Sequence, residues 1–172
     1  EMHHVFEVVR MVAPTDMTVM VEGETGTGKE LVASAIHHHS PRRHGPFVTI
    51  NCAGFPETLL ESELFGYEQG AFTGAERARA GKIELAHGGT LFLDEIESIS
   101  LLMQSKLLRV LEDQKVQRLG GNRQIQVDMR VIAASNVPVE VLAAQGKMRS
   151  DFYYRINVLP IRLLPLRDRR ED

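Results

Sequence analysis

Cysteine, long apolar runs and excess positive charge are all scarce in this chain, and each shortage excludes something. One thiol in 172 residues, Cys52, cannot form an internal disulfide and fits a reducing cytosol, so a cytoplasmic location is expected. No apolar run approaches the roughly 20 residues that cross a bilayer, and no secretory signal pattern opens the chain, so no membrane partner is expected. Lysine and arginine total 20 against 23 acidic residues, a net charge of −3. That gives no bulk positive field for non-specific nucleic-acid binding. Internal repeats and low-complexity tracts are also missing. The remaining composition is that of an ordinary globular chain of one domain's length. It begins inside a helical pattern and stops in the charged run "LRDRRED", as expected of an excised domain.

Apolar residues recur at helical spacing through Val5, Val8, Val9 and Val12, until Pro14 stops the pattern. "MTVMV" (17–21) predicts a strand, a glycine-rich loop follows, and a helix is expected from about Lys29 to His38. Further strands are expected at "FVTIN", "TLFLD", "VDMRVIAAS" and "VLPIRL", with helices at 57–65, from Leu101, at 139–145 and at 150–156. "TLFLD" is too apolar to be anything but buried on both faces. Strands alternating with helices predict an α/β fold with a mainly parallel sheet between helical layers.

The loop Gly23, Glu24, Thr25, Gly26, Thr27, Gly28, Lys29 stands between a predicted strand and helix. Glycines there let backbone N–H groups turn toward phosphate oxygens, the helix N-terminus favours anions, and Lys29 neutralises them. The pattern then asks for a hydroxyl to hold magnesium, and the chain supplies Glu30. Asp94 and Glu95 end a buried strand, where open parallel sheets place their ligands. Asp94 suits a magnesium ion, and Glu95 suits polarisation of a water for hydrolysis. In "EQGAFTGAERARAG", Gly70 and Gly74 bracket Ala71, Phe72 and Thr73. An aromatic on such a loop either marks a contact surface or folds back on the domain, and residue types alone leave both open. "HHH" (37–39) is expected to be a solvated helix end, and Cys52 a small buried residue.

Four motifs, "GETGTGKE", "ELFGYEQGAFTGA", "GGTLFLDEI" and "MRSDFYYRINV", together resemble the central ATPase domain of bacterial enhancer-binding proteins, the sigma-54-dependent activators of the AAA+ superfamily. The resemblance runs from about Val5 to Asp172. It implies a phosphate-loop AAA+ core that uses ATP and Mg2+ and assembles with copies of itself into a ring, a hexamer in that family. It also implies that Gly70, Ala71, Phe72, Thr73, Gly74 and Ala75 contact the sigma-54 RNA polymerase holoenzyme, with "RLGG" (118–121) as a second loop moving beside them. Asn51 matches an asparagine that bonds the catalytic glutamate in one nucleotide state, and Asn136 a sensor of the γ-phosphate. Arg149 and Arg155 match fingers offered to a neighbour's nucleotide. Met148 and Phe152 stand where that family more often has Phe and Leu.

"GKE" is a habit of the same family, so Glu30 is expected to act through water or to point away from the ion. The helical lid domain is expected beyond Asp172, with "LRDRRED" its solvated start, and DNA contact only through a domain outside this chain. A fragment without the lid is expected to bind nucleotide weakly and turn it over slowly. Two other readings of the loop remain: a small-metabolite kinase with its arginines in cis, and a nucleotide-binding unit that does not hydrolyse.

Overall fold

The computed structural model describes residues 2–169. Helix α1 (Met2–Val12) turns Val5, Val9 and Val12 inward at the predicted spacing, and β1 (Val19–Glu22) follows it. Gly28, in the left-handed region at φ 92°, opens α2 (Lys29–His38), and β2 (Phe47–Asn51) comes next. After α3 (Glu57–Phe65) the chain makes a small antiparallel ribbon, β3 (Gly66–Tyr67) with β4 (Arg79–Ala80), and the one-turn α4 (Lys82–Leu85). Strand β5 (Thr90–Asp94) leads through a tight turn at Ile96–Ser98 to α5 (Leu101–Asp113), whose first turn is capped by Ser100 Oγ accepting from Met103 N–H. A hairpin of β6 (Lys115–Gln117) and β7 (Gln124–Gln126) precedes β8 (Arg130–Ser135), α6 (Val139–Ala144), α7 (Ser150–Ile156) and β9 (Leu159–Arg162).

The main sheet is wholly parallel, in the order β2-β5-β8-β1-β9. Alternate residues feed two cores, which is why the central strands are apolar throughout. Leu91, Leu93, Met20 and Ala133 join α3, α5, α6 and α7 on one face. Phe92, Val19, Val21 and Ile132 join α1 and α2 on the other. Strands and helices follow the expected order. The ends move by up to three residues: β1 starts at Val19, and β8 at Arg130, where "VDM" is still approach. Neither short ribbon is foreshadowed by periodicity, since two- and three-residue strands carry no alternation to detect.

His37 departs from the expectation of a solvated "HHH". It is buried, its Nδ1 lies 2.9 Å from Thr90 Oγ1, and its ring stacks on Phe47. His38 and His39 are exposed as expected. Burial holds the His37 imidazole below its ordinary pKa, so it stays neutral.

Arg130 is the largest side chain sealed from solvent among the described residues. Its guanidinium donates to the carbonyls of Ala13 (2.9 Å), Val12 (2.8 Å) and Met17 (3.2 Å), pinning the end of α1 under the sheet. Without it Ala13 O and Met17 O lose their guanidinium donor, while Val12 O keeps Thr15 N–H and Oγ1. Arg130→Ala is therefore expected to cost about 3 kcal/mol, read as a lower urea midpoint with an unchanged slope.

Candidate functional site

The turn from β1 to α2 wraps round on itself. Gly26 and Gly28 both take positive φ, 82° and 92°, a conformation that side chains resist. A Cβ on Gly23 would lie 2.7 Å from Thr27 Oγ1, so this position is closed by space as well. Lys29 is only 7% exposed, and its ammonium donates to the carbonyls of Gly23 (2.7 Å) and Glu24 (2.9 Å). Burial lowers its pKa, while Asp94, Glu97 and Glu95 pull the other way. Thr27 Oγ1 donates to Glu24 O, Thr25 is exposed, and Glu30 points to solvent on the first turn of α2. The loop is thus a preformed nest of backbone donors with one cation at its base.

Because all five strands run the same way, their carboxyl ends meet at one edge. Gly23 N–H donates to Ser135 O at 3.2 Å, which seats the loop against the end of β8. Asn136 follows directly. Asp94 ends β5 two strands from the loop, and Asn51 ends β2 in register with it. Half-buried Asp94 has its carboxyl held above the ordinary range, first by burial and then by repulsion from Glu95 and Glu30. Its Oδ1 accepts the N–H of Glu95, which sits at φ 54°. A non-glycine residue in the left-handed region stores about 1 kcal/mol or more, and such strain clusters where side-chain direction matters. Asn51 Oδ1 accepts from Ala53 N–H at 2.9 Å, which leaves its Nδ2 as the donor for a carboxylate. The Cys52 thiol is pushed up to about 12, chiefly by burial, and is inert.

Arg149 and Arg155 do not come together. Arg149 caps α7 and Arg155 lies six residues on, about 1.7 helical turns away, so they point in different directions. Arg149 is exposed and forks onto Asp151 at 3.1 Å. Arg155 donates to Leu111 O (3.0 Å) and Thr18 Oγ1 (3.3 Å), at the amino end of β1.

The loop 70–75 projects from the β3–β4 ribbon, with Gly70 and Gly74 at φ 81° and 97° and Gly70 N–H closing onto Ala75 O. Ala75 is buried, and Thr73 is exposed. Phe72 is 45% exposed while its ring packs edge-on against Tyr67 at 4.9 Å, so it both leans back and offers a face. "RLGG" touches this loop directly. Leu119 bridges to Tyr67, a Cβ on Gly120 would meet Ala71 at 2.8 Å, and Arg118 forks onto Glu84.

Three features were not foreseen. An apolar cavity of about 350 Å³ beside the phosphate loop is lined by Val5, Phe6, Val9, Leu31, Leu163 and Leu166. Its signal was Leu31, 77% exposed and out of phase with the buried stripe of α2. Glu97 adds a third carboxylate near Lys29. Arg167 forks onto Glu24 at 2.8 and 2.9 Å, and Arg169 donates to Thr27 O. The start of "LRDRRED" is exposed at Leu166, Arg167 and Asp168, as expected, and its arginines also strap the loop. Residues 170–172 lie outside the described residues.

The sigma-54 interaction domain family matches residues 1–162. The chain is similar to the Nif-specific regulatory protein of Azotobacter vinelandii, 57% identical over 171 residues, 99% of this chain and 33% of that protein. It is 54% identical to the Klebsiella pneumoniae protein of the same name over the same shares. It thus spans about a third of the length of these curated relatives. NtrX from Brucella abortus in complex with ATP superposes at TM-score 0.90 with 42% identity, covering 99% of this chain and 38% of that one. The P-loop NTPase domain of an Escherichia coli sigma-54 activator, at TM-score 0.65 and 24% identity over 96% of this chain and 95% of that one, shares the fold.

Asp94 generates a testable sign. Its folded pKa lies above the unfolded value, so the charged form opposes folding, and that cost appears as pH rises through the folded pKa. Asp94→Asn keeps the acceptor for Glu95 N–H and removes the charge. Calorimetry at pH 7 is expected to give the variant a thermal midpoint equal to or above the parent, with the gap closing as pH falls toward about 4.

Proposed function

The chain belongs to the sigma-54 interaction domain family, and from that premise we propose that it is the ATP-hydrolysing core of a bacterial sigma-54-dependent transcriptional activator. The observation carrying this reading is the convergence, at one sheet edge, of a lysine-based phosphate nest with Asp94, Glu95 and Asn136. Backbone N–H groups of the loop and Lys29 bind the phosphates. The apolar cavity between α1, α2 and Leu163 seats adenine, whose flat face suits Phe6 and Leu31. Glu95 takes the proton from the attacking water, and Asn136 reads the γ-phosphate. Asn51, through Nδ2, bonds Glu95 in another nucleotide state.

Magnesium fits the residues present. Asp94, Glu95 and Glu97 outnumber Lys29, yet among the described residues no three His, Cys, Asp or Glu side chains cluster into a cage. Asp94 would therefore hold the ion together with phosphate oxygens and water, and Glu30, exposed on α2, would reach it only through water. When bound, the ion neutralises the charge of the β and γ oxygens.

Arg155 supports catalysis across an interface. It is anchored at the amino end of β1 while the loop leaves the carboxyl end, about 13 Å away for four extended residues. It cannot serve its own chain's phosphates, which weighs against a kinase with cis arginines. Copies in a ring, a hexamer, would present Arg149 and Arg155 to the next nucleotide. Such a finger is worth about 10³–10⁵ in rate. Phe72 and Thr73 would meet the sigma-54 polymerase, and hydrolysis would drive the loop to remodel the closed promoter complex. DNA would be met only through another domain. Among the described residues no helix is long and apolar enough to cross a membrane, in keeping with a cytoplasmic setting.

In the full-length protein, Glu95→Gln is expected to keep ATP affinity within about threefold and to lower turnover at least about 100-fold. Phe72→Ala is expected to keep turnover and lose capture of sigma-54. Specific turnover should rise with protein concentration, as trans fingers require. Full hydrolysis by Glu95→Gln, or a concentration-independent rate, would sink the reading.

A further inference from the structure

Asn136, Val137 and Pro138 join β8 to Val139, the first residue of α6, and proline has no N–H, so these four residues have three backbone donors to satisfy. Side chains satisfy all three. Glu97 Oε1 accepts from Asn136 N–H at 3.3 Å, Ser135 Oγ from Val137 N–H at 3.2 Å, and Glu22 Oε1 from Val139 N–H at 3.1 Å. The two carboxylates arrive from opposite sides. Glu22 is the last residue of β1, next to Gly23 of the phosphate loop, and is only 5% exposed. Glu97 lies two residues beyond Glu95. Each keeps its second oxygen buried without a hydrogen bond; that of Glu22 makes an ion contact with Arg162 Nε at 3.2 Å. Arg162 in turn donates to Glu140 Oε1 on α6. Half-satisfied buried carboxylates are costly, and a neutral acceptor would hold an N–H more cheaply if stability were all that mattered.

We propose that Glu22 and Glu97 are positioning residues that fix the Asn136 segment between the ends of β1 and β5 and so set the preference for a nucleoside triphosphate over a diphosphate. This rests on the nucleotide reading above. With the segment held in place, Asn136 meets a γ-phosphate without first being ordered. Releasing either tether makes ligand binding bear that ordering cost, and only a ligand with a γ-phosphate bears it. A diphosphate, which does not reach Asn136, is held by the loop and Lys29 as before.

The test is calorimetric titration of the full-length protein with the magnesium complexes of ADP and of the imido analogue of ATP, which is not hydrolysed. Glu22→Ala is expected to weaken the analogue about tenfold, the worth of one buried N–H left unpaired, with ADP within about twofold of the parent. Glu22→Gln, which still presents an oxygen to Val139 N–H, is expected to restore most of the preference. Glu97→Ala, on another element, carries the same expected loss of preference and stands in should Glu22→Ala not fold. Equal weakening of both nucleotides marks a merely structural role and overturns the proposal. So does an unchanged preference, a parent with none, or a Gln variant as damaged as Ala. A parent that binds neither nucleotide overturns the nucleotide reading itself, and this inference with it.

Discussion

Everything at this site depends on five parallel strands ending along one edge with β8 between β1 and β5. Adjacent strands are about 4.8 Å apart, so the phosphate loop from β1 and the carboxylates from β5 face each other across about 10 Å. That gap suits a phosphoryl group and a water. Asn136, at the end of β8, stands in the middle of it. No one strand could supply both sides, and an antiparallel neighbour would send one set of groups to the opposite edge. The long crossovers that parallel pairing requires carry α2, α3, α5, α6 and α7, and with α1 these fill both faces with apolar residues. The core and the site are therefore consequences of the same connectivity.

Charge completes what topology begins. Lys29 is dry, and its ammonium rests on two loop carbonyls, partners that a phosphate oxygen can replace. Asp94 faces it across the gap with its carboxyl raised by burial and by like charge. Each group is held short of its best partner, and a magnesium triphosphate would supply both at once. The left-handed backbone of Glu95 belongs to the same economy. Strain is kept at the residue that follows Asp94, where side-chain direction matters.

Much of this was legible in the sequence, for identifiable reasons. Glycine, lysine and aspartate at fixed spacing express local backbone needs, so the loop and Asp94–Glu95 could be placed before any fold was known. The succession of strands and helices along the chain followed from apolar periodicity and turn residues. What escaped depends on long-range packing. His37 is buried because β2 and β5 bring Phe47 and Thr90 to it, and nothing in "HHH" encodes that. Glu22 and Glu97 look like any acidic residues at a strand end or in a turn. Their use appears only when β8 delivers three unpaired N–H groups between them. Leu31 and Phe6 looked like surface noise until α1 and α2 were seen to frame a cavity. Whether Phe72 faced outward or inward had no answer in residue types, because it does both.

The path from the site to the projecting loop is short. Asn51 ends β2, α3 begins six residues later, and its nine residues lead straight into β3, the base of the loop. A nine-residue helix is about 13 Å long and moves as a rod. Two backbone hydrogen bonds tie that base to "RLGG", from Glu68 N–H to Leu119 O and from Leu119 N–H to Gly66 O, both at 2.9 Å. Arg118 fastens the same strand to Glu84 on α4. A shift of Asn51 toward Glu95 would therefore be felt by one rigid helix and by two loops that cannot move apart. Gly70 and Gly74, both at positive φ, bracket the tip that carries Phe72, and the ribbon below it is the part those two hydrogen bonds hold.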